Sequence, residues 1–136
     1  MHRTFLVVAV LLLALAVILG AFGAHGLKKI LPDESLSSFE TGVRYHFYHA
    51  FALLAAGILY ERFHNKWVVY AGYLFIAGIV LFSGSLYLLT FLKTTNTVGL
   101  SGIGIITPVG GVCFIAAWIS LMIAILNRTQ TPLKSI

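Results

Sequence analysis

Two of the chain's five histidines, His46 and His49, stand three residues apart in a stretch without acids or bases. That spacing puts both imidazoles on one face of a helix. An imidazole can bridge helices by hydrogen bonds, shuttle protons, or ligate zinc or haem iron. Tyr45 precedes the pair, and His25, Ser83, Ser85, Tyr87 and Thr107 are further polar side chains set among apolar residues. Glu40 and Arg44 have the i,i+4 spacing of an ion pair near a helix start, worth a few tenths of a kcal/mol. No serine-nucleophile motif, phosphate loop or HExxH occurs, so no catalytic residue is assigned and a non-enzymatic protein is expected. His25, His46 and His49 could form a metal or haem site, but no ligand-spacing motif such as Cys-x-x-Cys-His supports it, and no metal or cofactor is assigned. Cys113 is the single cysteine, which leaves no intrachain disulfide.

The elements that must position these groups follow from composition. Of 136 residues, 60% are hydrophobic and 10% charged, against about 25% charged in a soluble domain. Residues 4–27, 45–60, 67–92 and 94–127 contain no Asp, Glu, Lys or Arg. About 20 apolar residues cross a bilayer, so the chain reads as one small integral membrane domain over residues 1–136. The net charge of +5 is spread along the sequence rather than gathered into a basic patch, which argues against nucleic acid. The apolar run after Arg3 is too long for a signal-peptide core and is taken as a retained span.

The fold class expected is an all-α, four-helix membrane bundle of up-down topology, with spans at residues 4–24, 37–61, 67–92 and 108–127. Leu36, Phe39, Val43, Phe47, Phe51 and Leu54 recur at helical period in the second. Ser37 and Glu40 have capping-box spacing, although Pro32-Asp33 could open that helix a turn sooner. Thr107-Pro108 offers an N-cap and a first-turn proline for the fourth span. Residues 94–106 are then left as a Gly-rich connector, expected to fold back over the bundle mouth. Small residues form a stripe on each span: Ala9, Ala16, Gly20 and Ala24; Gly42, Ala52 and Ala56; Ala71, Gly78 and Ser85; Ala116, Ser120 and Ala124. Such stripes let membrane helices approach closely.

An even number of crossings places both termini on one side, with Arg3, Arg62, Lys66, Arg128 and Lys134. Lys28, Lys29, Arg44 and Lys93 lie on the other, which we call the outer side. Five basic residues against four favours cytoplasmic termini. On the second helix, Gly42, Tyr45, His46, His49, Leu53 and Ala56 share the face turned toward the bundle, with the histidines about 3–8 Å inside Arg44. The same topology brings His25, Ser83, Ser85, Tyr87 and Thr107 to the outer mouth. Polar residues within spans are functional-site candidates. The plainer alternative is structural: interhelical hydrogen bonds worth about 0.6–2 kcal/mol each.

Four stretches carry a family resemblance: Gly20-Ala21-Phe22-Gly23-Ala24-His25-Gly26-Leu27, Phe39-Glu40-Thr41-Gly42-Val43-Arg44-Tyr45-His46-Phe47-Tyr48-His49-Ala50, Leu81-Phe82-Ser83-Gly84-Ser85-Leu86-Tyr87, and Thr107-Pro108-Val109-Gly110-Gly111 leading to Trp118. In order and spacing they resemble the bacterial family called domain of unknown function 423, related to the eukaryotic transmembrane protein 256. The resemblance covers nearly the whole chain. It implies a multi-pass protein of the bacterial plasma membrane, with no activity or cofactor to carry over. The family's recurrent residues fall on His25, Glu40, Arg44, Tyr45, His49, Ser83, Ser85, Tyr87, Thr107 and Pro108. An alanine is expected where this chain has Gly42. The function expected is that of an accessory or assembly partner of a larger membrane complex, or of a protein binding a lipid-like ligand at its outer mouth. A transporter or channel-like homo-oligomer is the alternative, weakened by the lack of charge at mid-membrane.

Overall fold

A computed structural model describes residues 1–95 and 101–127, and these are helical apart from short turns. The elements are α1 (Arg3–His25), a 3-10 turn (Leu27–Lys29), α2 (Asp33–Leu59), α3 (Lys66–Gly78), a π-helical segment (Ile79–Ser83), α4 (Gly84–Thr94), the single turn α5 (Ser101–Gly104) and α6 (Ile106–Leu126). The segment from Lys66 to Thr94 is one continuous helix with the π turn inside it. That helix, residues 3–29 and residues 102–126 are each long and apolar enough to cross a bilayer. α2 is long but less apolar, because it carries Asp33, Glu34, Glu40, Arg44 and both histidines.

Of the two starts read from the sequence for α2 the earlier holds, and the start of α6 differs from expectation. α2 opens at Asp33 with Pro32 as its cap residue, a turn before the Ser37–Glu40 pattern. Proline has no N–H to leave unpaired, and Asp33 and Glu34 in the first turn suit the positive end of the helix dipole. α6 opens at Ile106, so Thr107 and Pro108 lie in its first turn and Thr107 caps nothing. Residues 96–100 of the expected Gly-rich connector lie outside the described residues, as do Arg128 and Lys134.

Glycines set the packing. α1 lies antiparallel on α2: Gly23 faces the Phe39 ring, Gly20 faces Val43, and at the other end Gly57 faces Leu6 and Phe5. Phe5, 1% exposed, also fills the space over Gly72 of α3, stacks on His2 at 3.9 Å and meets Tyr73 edge-on. α6 packs antiparallel on the 66–94 helix. The Asn65 side-chain amide donates to the Ala124 carbonyl at 3.1 Å, Phe114 sits over Gly78, and Gly110 rests on the Phe82 backbone. The main core joins Ala9, Leu53, Ala71, Phe75, Phe114, Ala117 and Leu121 around α2 and α3. Ala117 and Ala124 are the fully buried alanines of α6; Ala124 was expected there, whereas Ala117 takes the place expected for Ala116.

The π turn lies at this α6 contact. Inserting one residue displaces the regular ladder of carbonyls, and the Ser85 hydroxyl donates to the Phe82 carbonyl at 2.9 Å. At Gly110 an added Cβ would meet the Phe82 nitrogen and Cα, backbone atoms that cannot swing aside. Gly84 has open space around the same position. Gly110→Ala is therefore expected to lower the thermal midpoint in detergent, by about 1–3 kcal/mol of overpacking. Gly84→Ala, in a helical conformation, is expected to be neutral or to stabilise by up to about 1 kcal/mol. Equal midpoints for the two variants would show that Gly110 is not a point of close approach.

Candidate functional site

The polar residues singled out above separate into small groups rather than one cluster. His46 is 2% exposed, and its Nδ1 is 3.1 Å from the Tyr87 hydroxyl of α4. The ring also lies within reach of the Leu12 backbone on α1, but Nε2 closes no hydrogen bond of acceptable geometry. His49, also buried, donates from Nδ1 to the Tyr45 carbonyl at 2.8 Å. A carbonyl only accepts, so Nδ1 carries a proton. The imidazole lies flat on the Phe114 ring of α6, centroids 3.4 Å apart and planes within 8°. The two histidines thus fasten α2 in different directions, His46 to α4 and His49 to α6.

Ser85 and Thr107 form the third group. Their hydroxyls are 2.6 Å apart. Since Ser85 donates to the Phe82 carbonyl, Thr107 is the donor to Ser85, and the chain of hydroxyls ties the start of α6 to the end of the π turn. This use of Thr107 replaces the capping role expected from sequence. Ser83 is fully buried, and its hydroxyl has no partner.

Of the other expected members, His25 stands apart, whereas Tyr45 belongs with His49 through its carbonyl and its ring. His25 is exposed and donates from Nδ1 to the Ala21 carbonyl of its own helix. The Tyr45 ring, 38% exposed, stacks against Phe82 at 4.6 Å. The Glu40–Arg44 ion pair does not form. Both side chains are exposed and line a shallow cleft with Gly20, Gly23, Phe39 and Val43, but they make no salt bridge. An exposed pair at this spacing gains too little to order two long side chains. Moreover, α2 begins seven residues before Glu40, so the two residues are not at its start. Among the described residues, no three His, Cys, Asp or Glu side chains come together as a metal site.

Sequence reasoning missed an apolar cavity of about 310 Å³ at the end of the molecule away from the N-terminus. One wall is Leu19 and Phe22 of α1 with Leu27 and Ile30 of the turn after it. The other wall is Tyr87, Thr90, Phe91 and Thr94 of α4, and Phe39 of α2 is the floor. Its volume is at the lower end of small-molecule sites, roughly 300–1,000 Å³. The wall hydroxyls are already committed: Thr90 donates to the Leu86 carbonyl, Thr94 to the Phe91 carbonyl, and Tyr87 pairs with His46. The cleft therefore presents hydrocarbon. Tyr87 is the one anticipated residue that lines it. Gly42 of α2 seats that ring, since a Cβ there would come 3.0 Å from Tyr87 Cε1. An alanine at this position requires the ring to shift by a few tenths of an ångström. The cleft exists because α1 and α4 stand apart at this level, which no periodicity in the sequence encodes.

Comparison with known proteins supplies a lineage. Residues 19–111 match the family model described as protein of unknown function (DUF423). The chain is 45% identical over 123 residues to the UPF0382 membrane protein YwdK of Bacillus subtilis, covering 90% of this chain and 95% of that protein. It is 42% identical over 122 residues to the UPF0382 membrane protein SAB0533 of Staphylococcus aureus, covering 90% and 94%. A UPF0382 membrane protein of Haemophilus influenzae is 43% identical over 105 residues, covering 77% and 79%. No solved structure matches the chain significantly.

The hydrogen-bond assignments have measurable consequences. Tyr87→Phe leaves His46 Nδ1 without its partner and is expected to cost about 1–2 kcal/mol. A double-mutant cycle of Ser85→Ala with Thr107→Val should give a coupling near 0.6 kcal/mol and below about 1.7. Unfolding in mixed micelles measures both. Strict additivity in the cycle would mean that the two hydroxyls do not interact.

Proposed function

The chain belongs to the DUF423 family of membrane proteins, and on that premise we propose that it is a non-enzymatic lipid-binding protein of the bacterial plasma membrane. In this reading all four long helices cross the bilayer in up-down order, and the termini lie on the cytoplasmic side. The antiparallel contacts of α1 with α2 and of the 66–94 helix with α6 support the order. α2, the least apolar of the four, crosses because its two histidines are turned into protein and its outward residues from Tyr45 onward, including Tyr48, Phe51 and Ile58, are apolar or aromatic. The polar groups at the outer end hold the helices together, and the ligand site is the hydrocarbon cleft beside them.

The observation that carries this reading is the commitment of every wall hydroxyl in the cleft to a partner within the protein. A polar substrate entering there would lose its hydration against hydrocarbon walls whose two threonine hydroxyls already donate to backbone carbonyls, at a cost of several kcal/mol for each group left unpaired. An alkyl chain loses nothing. The cleft is bounded by α1 and α4 at the depth of the outer half of the membrane, where acyl chains are the surrounding solvent. A protein with such a site could serve a larger membrane complex by presenting or retaining a lipid.

The test is covalent mapping. The full chain in bilayers containing a lipid with a photoreactive group in its acyl chain should be labelled preferentially on peptides carrying Leu19–Ile30 and Tyr87–Thr94. Leu19→Trp, which fills the cleft from the α1 wall, should reduce that labelling severalfold without altering insertion. Labelling spread evenly over exposed apolar positions such as Val7, Val112 and Ile115, or undiminished in Leu19→Trp, would reject the site.

A further inference from the structure

We propose that the lipid held in the cleft is an anionic glycerophospholipid whose phosphate lies over Lys28, Lys29 and Lys93. The inference rests on the acyl-chain reading above and adds the class of head group. Both lips of the cleft carry these cations. Lys28 and Lys29 lie in the 3-10 turn between Leu27 and Ile30, and Lys93 lies between Phe91 and Thr94, four residues that line the cleft. Leu27–Lys29 follows the end of α1, and Lys93 is in the last turn of α4. The charges therefore sit where the hydrocarbon walls stop.

All three lysines are exposed, and among the described residues none is in an ion pair. None of the four acidic residues lines the cleft. Asp33 and Glu34 are in the first turn of α2, Glu40 lines the separate shallow cleft with Arg44, and Glu61 pairs with the terminal amine at the other end of the molecule. Three unpaired cations at the lips attract a head group of net negative charge more strongly than a zwitterionic one, whose ammonium they repel. Unpaired lysines near a membrane surface each favour anionic lipid by a factor of about five, and their long stems can reach along the apolar lips while the ammonium stays in the head-group layer.

The experiment uses the full chain in phosphatidylcholine bilayers with a trace of photoreactive lipid, either phosphatidylglycerol or phosphatidylcholine bearing the same reactive acyl chain. Cleft peptides should be labelled at least fivefold more by phosphatidylglycerol at low salt. The ratio should fall on Lys93→Gln and reach unity when Lys28→Gln and Lys29→Gln are added, while Lys66→Gln at the opposite end leaves it unchanged. One molar salt should shrink it, because exposed charges are screened. Equal cleft labelling by the two lipids, or a preference that survives loss of all three lysines, overturns the head-group assignment while the acyl site stands. Absence of cleft labelling by either lipid overturns the acyl reading itself, and this inference with it.

Discussion

In lipid, a helix gains nothing by hiding leucine from leucine, and a buried polar atom can be satisfied only within the protein, as those of the described side chains are except at His46 Nε2 and Ser83 Oγ. α2 is where that constraint falls. It carries His46 and His49 in its charge-free stretch and packs against α1, α3 and α4. His46 is answered by the Tyr87 hydroxyl and His49 by its own Tyr45 carbonyl and the face of Phe114. Each answer comes from a fixed direction, so the histidines decide how α4 and α6 stand around α2. Apolar contacts alone would allow the helices to slide and rotate against one another. These polar contacts specify one arrangement.

The second determinant is close approach. Phe5 over Gly72, Phe114 over Gly78 and the Phe82 backbone under Gly110 are aromatic residues set against glycines on facing helices. They replace hydrophobic driving force with van der Waals contact, which is what remains to hold helices together in a bilayer. The π turn adds one residue to the 66–94 helix next to the Ser85–Thr107 hydroxyl contact. α1, by contrast, is attached along a narrow stripe of Phe5, Ala9, Ala16 and Gly23. Its outer end lies apart from α4, and the cleft opens between them. Tyr87 belongs to both features: its hydroxyl is spent on buried His46 while its ring forms part of the cleft wall.

The helical class and the membrane environment were legible because charge-free runs and helical periodicity are one-dimensional properties. So was the orientation of His46 and His49 toward the interior, since a 100° turn per residue places them with Gly42, Leu53 and Ala56, all buried. The grouping of polar side chains was less legible. Depth in the membrane placed His25 beside the other histidines, but its side chain turns back onto Ala21. Depth does not fix azimuth, and azimuth decides which groups touch. Thr107-Pro108 reads as a cap in sequence, yet the threonine hydroxyl is taken by Ser85, a tertiary contact that outcompetes a local one. The π turn and the cleft left no sequence signature, because both arise from how two helices diverge or register against a third.

The central claim is that hydrocarbon, rather than protein or water, occupies the space between α1 and α4. An experimental structure of the full chain in nanodiscs of native bacterial lipid tests it most directly. The account predicts elongated density parallel to the helices between Leu19 and Phe22 on one side and Tyr87 and Phe91 on the other, with its bulkier end beside Lys28 and Lys29. A cleft closed by direct contact of Phe22 with Phe91, or filled by water bonded to a freed Tyr87 hydroxyl, would contradict it.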